Sequence, residues 1–196
     1  WMTPWFDNVR FGRWDEIRTA PNPAPDLPYV TAIWNYAQAM AAIRQGRMDD
    51  ANTHYAALSK LAADPIMGTL MVWDRYPLAH AAHIAERTVH AELALARSDQ
   101  ATAIAALTEA VTIEDRIPYD EPPGWHSPVR QSLGAALLVA GRAADAEKVY
   151  RDELSRNPQN GWSLKGLALA LRQQQQTEAA MAVEKQLQAA WQHADV

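Results

Sequence analysis

Three histidines, His80, His83 and His90, fall within one Ala-rich segment at spacings of three and seven. On a helix that spacing puts all three on one face, and Glu86 joins them, three residues from His83 and four from His90. Imidazole and carboxylate in such a row are the donor set for Zn²⁺ or a similar ion. From His80 to His90, however, a helix rises about 15 Å, too far for one ion to touch all three. Only His80 with His83 could chelate together, and the third ligand would have to come from elsewhere. A partly exposed polar face is the better reading, so the sequence predicts no metal and no cofactor.

Carboxylates occur in pairs at Asp15/Glu16, Asp49/Asp50, Glu114/Asp115 and Asp120/Glu121. The first two pairs stand where second helices should begin, and there they serve the helix dipole and the free amides. Asp120 and Glu121 lie beside Tyr119, Trp125 and His126, an acid–His–aromatic grouping. Acid–base chemistry would require these groups to converge on a pocket. No Gly-rich phosphate loop, HExxH motif or nucleophile context accompanies them, so the sequence points away from an enzyme.

The bulk composition narrows the class further. Hydrophobic residues make up 48% of 196 residues, with Ala abundant and Phe reduced to two. That balance favours helix packed on helix. A net charge of −5 and the lack of a basic patch argue against nucleic acid as a partner. With no cysteine, disulfides, thiol chemistry and Cys-based zinc sites are excluded; the compartment stays open between cytoplasm and periplasm. No run of eighteen apolar residues is present, which predicts no membrane insertion.

The elements that must position these residues announce themselves by repetition. "GRWDEI" at Gly12, "GRMDDA" at Gly46 and "GRAADA" at Gly141 are variants of one phrase. Gly12 to Gly46 is 34 residues, and Gly141 to Gln175 is 34 again if Gln175 fills the same slot; Ser98 fills it in "LALARSDQATA". Each copy predicts an incoming helix, a Gly or polar residue at a turn where φ must depart from helical values, and an outgoing helix. Five positions past the turn stands a small residue (Ala51, Ala103, Ala146, Ala180), where two helices approach closely. Four further on comes Tyr55, Leu107 or Tyr150, but Glu184 in the last copy.

Predicted helix pairs cover Thr3–Arg18, Tyr29–Gln45 with Met48–Ala63, Leu78–Arg97 with Gln100–Ile113, Val129–Ala140 with Ala143–Arg156, and Gly161–Gln174 with Thr177–His193. "TAPNPAPDLPY" is a Pro-rich linker. "PIMGTLMVWDRY" reads as irregular or a short helix, with Pro77 opening the long helix after it. "RIPYDEPPGWHSP" is a second inserted loop. "QQQQ" at Gln173–Gln176 spans the last turn. The final helix is expected to cap the stack with a solvated outer face.

This pattern resembles the tetratricopeptide repeat. With Ser127 as position one, Leu133, Gly134, Leu137, Ala146, Tyr150 and Pro158 fall on that family's signature slots. Ala39, Ala51 and Tyr55, then Ala91, Ala103, Leu107 and Ala110, then Ala168 and Ala180 match in the other copies. Ile17, Ser98, Gln175 and Glu184 depart from the pattern. The resemblance spans nearly the whole chain. It implies one all-α solenoid domain over 1–196, with repeats at 1–28, 32–65, 84–117, 127–160 and 161–194 and insertions at 66–83 and 118–126.

The family also implies a concave groove lined by first helices. Carried over, its positions are Ile33, Tyr36, Met40, Ile43 and Arg44; Thr88, Glu92 and Leu95; Gln131, Ala135 and Leu138; and Trp162, Lys165, Leu169 and Arg172. The family's Lys/Asn/Arg carboxylate clamp is not reproduced. The implied function is a non-catalytic scaffold that binds a protein or peptide, with apolar anchors in the groove and Arg44, Lys165 and Arg172 giving orientation. The inserted loops could instead fold over the groove. Trp14, Trp34, Trp73 and Trp191 are expected to pack between helices. Trp1, Trp5, Phe6 and Phe11 are expected to leave an apolar N-terminal edge, open to self-association or to a larger parent chain. A metal- or small-molecule site at His80, His83 and the Trp125–His126 loop is the weakest alternative.

Overall fold

A computed structural model of the chain describes residues 2–24 and 26–194. It is all-helical apart from one small hairpin, and it divides into two compact units, Trp1–Ser127 and Pro128–Val196. In the first, α1 (Thr3–Arg10), α2 (Trp14–Arg18), α3 (Pro28–Arg44), α4 (Met48–Ala62) and α5 (Ile66–Thr69) precede β1 (Met71–Val72) and β2 (Tyr76–Pro77). The unit closes with α6 (Ala79–Ala96) and α7 (Gln100–Glu114). The second unit contains α8 (Val129–Val139), α9 (Ala143–Arg156), α10 (Gly161–Gln173) and α11 (Thr177–Ala190). Successive helices pack as pairs, α3 on α4, α6 on α7, α8 on α9 and α10 on α11.

Every pair turns in the same way. Gly12, Gly46, Ser98, Gly141 and Gln175, the five slots that the repeat predicts, all have positive φ, between 61° and 72°. The next residue's N–H (Arg13, Arg47, Asp99, Arg142, Gln176) reaches back to the carbonyl five residues earlier, at 2.8–3.0 Å. The turn residue's own N–H reaches the carbonyl three back. This is a Schellman motif, which satisfies carbonyls that a helix end would otherwise orphan. The residue after the turn then accepts the first bond of the outgoing helix, from Ile17, Ala51, Ala103, Ala146 or Ala180. Those five side chains are 0% exposed, so the backbone motif delivers an apolar residue, small in four copies, into the helix–helix seam. In the second unit Tyr150 wedges between α8 and α10. A Cβ on Gly134 or Gly166 would overlap its ring, so both glycines make room for it.

Two sequence expectations change in the first insertion. Pro77 belongs to β2, opposite Met71, and does not open the long helix; α6 starts at Ala79. Trp73 is not packed between helices. It sits at the tip of the β1–β2 hairpin and is 70% exposed. Two-residue strands are too short to show alternation, which is why the sequence reads as irregular here. Asp15, Glu16, Asp49 and Asp50 occupy first turns as expected. The side-chain caps fall elsewhere: Asp99 accepts from Thr102 N–H and Asn160 from Ser163 N–H.

The N-terminal edge also differs. Trp1 lies outside the described residues. Trp5 is buried and Phe6 turns inward against α3 and the second inserted loop, which leaves Phe11 as the exposed aromatic of α1 and its turn. No helix among the described residues is long and apolar enough to cross a membrane.

Candidate functional site

The groove positions carried over from the resemblance meet opposite fates in the two units. In the first, α3 is apolar on nearly every side: Ile33, Tyr36 and Met40 are buried. Tyr36, 3% exposed, is covered from two directions. Phe6 of α1 lies 6.5 Å from its ring, and Trp125 packs edge-on at 5.3 Å. His126 stacks on Phe6 at 4.4 Å and brings Nε2 within 3.2 Å of the Tyr36 hydroxyl. Arg10 of α1 donates to Ser127 Oγ at 2.6 Å and so ties the end of the loop down. Three rings and one guanidinium thus close this face over Tyr36.

The electrostatics follow from that closure. Burial, reinforced by the positive Arg10, pushes the His126 imidazole down to about 3, so it is neutral at physiological pH. The same burial lifts the Tyr36 phenol well above its ordinary range, with Glu92 adding to the rise. Arg10 is itself lowered by desolvation. A neutral imidazole against an un-ionised phenol is a hydrogen-bonded packing contact with no charge to offer a substrate. At the rim, Arg44 pairs with Glu92 at 2.8 Å; burial raises the Glu92 carboxyl despite that pairing. Ile43 is half-buried beside them.

Tyr119 parts company with Trp125 and His126. Its ring is 80% exposed, its hydroxyl donates to Glu121 at 2.6 Å, and its carbonyl accepts from Arg75 at 2.9 Å. Asp120 pairs with Arg75 as well. The acid–His–aromatic grouping read from the sequence is therefore split, with the acids facing the hairpin and His126 facing the core. The reason is local: Glu121–Pro122–Pro123–Gly124 turns the chain over between them.

The histidine row on α6 divides too. His90 stacks on Tyr55 at 5.8 Å. Glu86 accepts from the Tyr55 hydroxyl at 2.7 Å and pairs with Arg87, so it faces α4. Among the described residues no group of three His, Cys, Asp or Glu is placed to hold a metal. His80, lowered by burial and by Arg116 and His83, has its Nδ1 buried without a hydrogen bond.

In the second unit the predicted residues of α10 stand open. Trp162, Lys165, Leu169 and Arg172 are all exposed along α10, at spacings of three, four and three, one face of a helix. Trp162 is 38% and Leu169 51% exposed. Leu138 is half-buried on neighbouring α8, where Val139 is exposed; the groove pattern does not single out Val139. Gln131 is buried and donates to Asn160 Oδ1 and Ser163 Oγ, so it tethers α8 to the start of α10. Trp191 folds back from the end of α11 onto this face. It meets Trp162 edge-on at 5.4 Å, and Lys165 Nζ sits 5.8 Å above its ring. Gly161 makes that possible, since a Cβ there would strike the indole. Arg172 grips Glu184 with two bonds, 2.9 and 2.7 Å. Glu184 holds the slot that Tyr150 fills in the preceding copy, and an ion pair there gives the last hairpin a polar outer side. No family model matches the chain, and no curated protein matches it significantly.

Proposed function

We propose that the chain is a non-catalytic binding module built of tetratricopeptide-like hairpins, and that the face of α8 and α10 in its second unit receives an extended or helical segment of a protein partner. The observation that carries this is the exposed stripe Trp162–Lys165–Leu169–Arg172. It sets two large apolar anchors among two cations, a pattern suited to a segment with hydrophobic side chains and a carboxylate. Among the described residues, Lys165 is engaged over the Trp191 ring and Arg172 in an exposed ion pair, of a kind that water screens and that contributes little. A ligand carboxylate can replace either partner at small cost. The apolar face of α3 is already occupied by the chain's own Phe6, Trp125 and His126, so it contributes no anchor.

The test is capture of partners by the wild type and by Leu169→Asp/Lys165→Glu, both shown folded by circular dichroism. A specific protein retained by the first and lost by the second supports the reading. Retention by both removes the α10 face as the working surface.

A further inference from the structure

The two inserted segments meet at one guanidinium. Arg75, just past the hairpin tip, pairs with Asp120 at 3.1 Å and donates to the Tyr119 carbonyl at 2.9 Å. The Tyr76 hydroxyl reaches the same carboxylate at 3.4 Å. Gly124 lies so close that a Cβ would come within 2.8 Å of that hydroxyl. Hairpin and loop are therefore one platform. From it project Trp73 and Tyr119, 70% and 80% exposed, with Met71 and Ile66 exposed as well.

Trp73 is costly there on two counts. Its φ is +47°, and that of Asp74 is +58°. Together they make a tight turn closed by Arg75 N–H on the Val72 carbonyl at 2.9 Å. Asn or Gly holds such a turn without strain, whereas a bulky side chain does not. The indole is also left in water, where its apolar surface gains nothing from folding. A strained, exposed Trp on a braced platform is physically sensible where a partner covers it.

The surrounding charge says which kind of partner. Asp74 and Glu121 are exposed on the two insertions, Asp64 and Arg116 just outside them, while Arg75 is matched by Asp120. Asp74 adjoins Trp73, and Glu121 accepts from the Tyr119 hydroxyl, so a carboxylate rims each of the two aromatics. A guanidinium or ammonium over an indole face is attracted by the ring quadrupole, and nearby carboxylates strengthen its binding through charge-assisted hydrogen bonds. Anionic lipid headgroups are repelled by the same rim. We propose that the joined insertions form a docking surface for a cationic, apolar-anchored peptide segment of another protein, with Trp73 as its anchor. This surface shares no residue with the α10 face.

The experiment uses the full chain and a fluorescein-labelled short peptide of alternating Arg and Leu in a Gly-Ser spacer, with the same peptide carrying Glu for Arg as control. By anisotropy the Arg peptide binds at least roughly tenfold more tightly than the Glu peptide, and Trp73→Asn weakens it by about as much. Trp73→Asn melts no lower than the wild type, because Asn accepts the left-handed turn; this separates lost contact from lost fold. Leu169→Asp leaves the affinity unchanged, so the two surfaces can fail independently. Equal binding of both peptides, binding undiminished in Trp73→Asn, or binding to anionic vesicles with none to the Arg peptide would each overturn the proposal.

Discussion

Tyr36 and Trp162 are each an aromatic at a groove position on the first helix of a hairpin, yet one is 3% exposed and the other 38%. The helices that carry them differ in part, since α3 has no charge before Arg44 whereas α10 carries Lys165 and Arg172. They differ further in what the chain lays on top. Over Tyr36 come Phe6 from α1 and Trp125 and His126 from the second insertion; against Trp162 comes Trp191, from the end of its own hairpin. A repeat motif thus dictates the backbone and the buried seam, while segments outside the motif decide whether its face is closed core or open surface.

That contrast is sharpest at the two tryptophans. Trp125→Ala removes a buried ring from between Phe6 and Tyr36 and should cost the first unit about 3–5 kcal/mol. Trp162→Ala removes a ring already partly in water and should cost under about 1 kcal/mol. Chemical denaturation of both variants checks this, and equal costs would break the comparison.

Acid probes the same closure. Held near 3 in the folded state against an ordinary 6.5, His126 binds a proton only on unfolding, so protons favour the unfolded chain. Its contribution is intact above about pH 6.5 and is lost as pH falls toward 3, up to about 5 kcal/mol in all. Melting curves across that window should fall more steeply for the wild type than for His126→Gln, which keeps a partner for the Tyr36 hydroxyl. On the α10 face Lys165 and Arg172 are exposed and the Arg172 partner Glu184 is half-buried, so acid has no buried imidazole to charge there.

The smallest effect lies in the turns, which both units share. Gln175 holds a left-handed backbone with a side chain that disfavours it, so Gln175→Gly should stabilise the second unit by up to roughly 1 kcal/mol. The same change at Ser98 should do likewise for the first. Thermal melts read both.

Gly12, Gly46, Ser98, Gly141 and Gln175 are legible in the sequence because their demand is local, a left-handed residue followed five positions later by one that must fit a seam. The helix ends are legible for the same reason, to within a residue or so for most of the helices. The β1–β2 hairpin is not, since its strands are two residues long and its turn is built from Trp73 and Asp74 in place of the usual Asn-Gly. The closure over Tyr36 is, from sequence, only one of two possibilities. His126 lies 90 residues from Tyr36, and no periodicity reports a contact at that distance. Phe6 is visible as an aromatic but reads as part of an exposed edge, because an amphipathic helix alone does not say which face has a partner. On α10, by contrast, the positions that the resemblance assigns, Trp162, Lys165, Leu169 and Arg172, fall together on one helix face, and all four are exposed.

The absence of native cysteine permits one direct measurement of the closed-versus-open distinction. Single cysteines at Met40 and at Leu169, in otherwise unchanged protein, report access to a soluble disulfide reagent by their reaction rates. Met40 is buried and Leu169 is half exposed, so the Leu169→Cys thiol should react at least roughly a hundredfold faster, since the Met40→Cys thiol reacts only through opening of its unit. Similar rates at the two positions would contradict the account, because the first unit would then be as open as the α10 face.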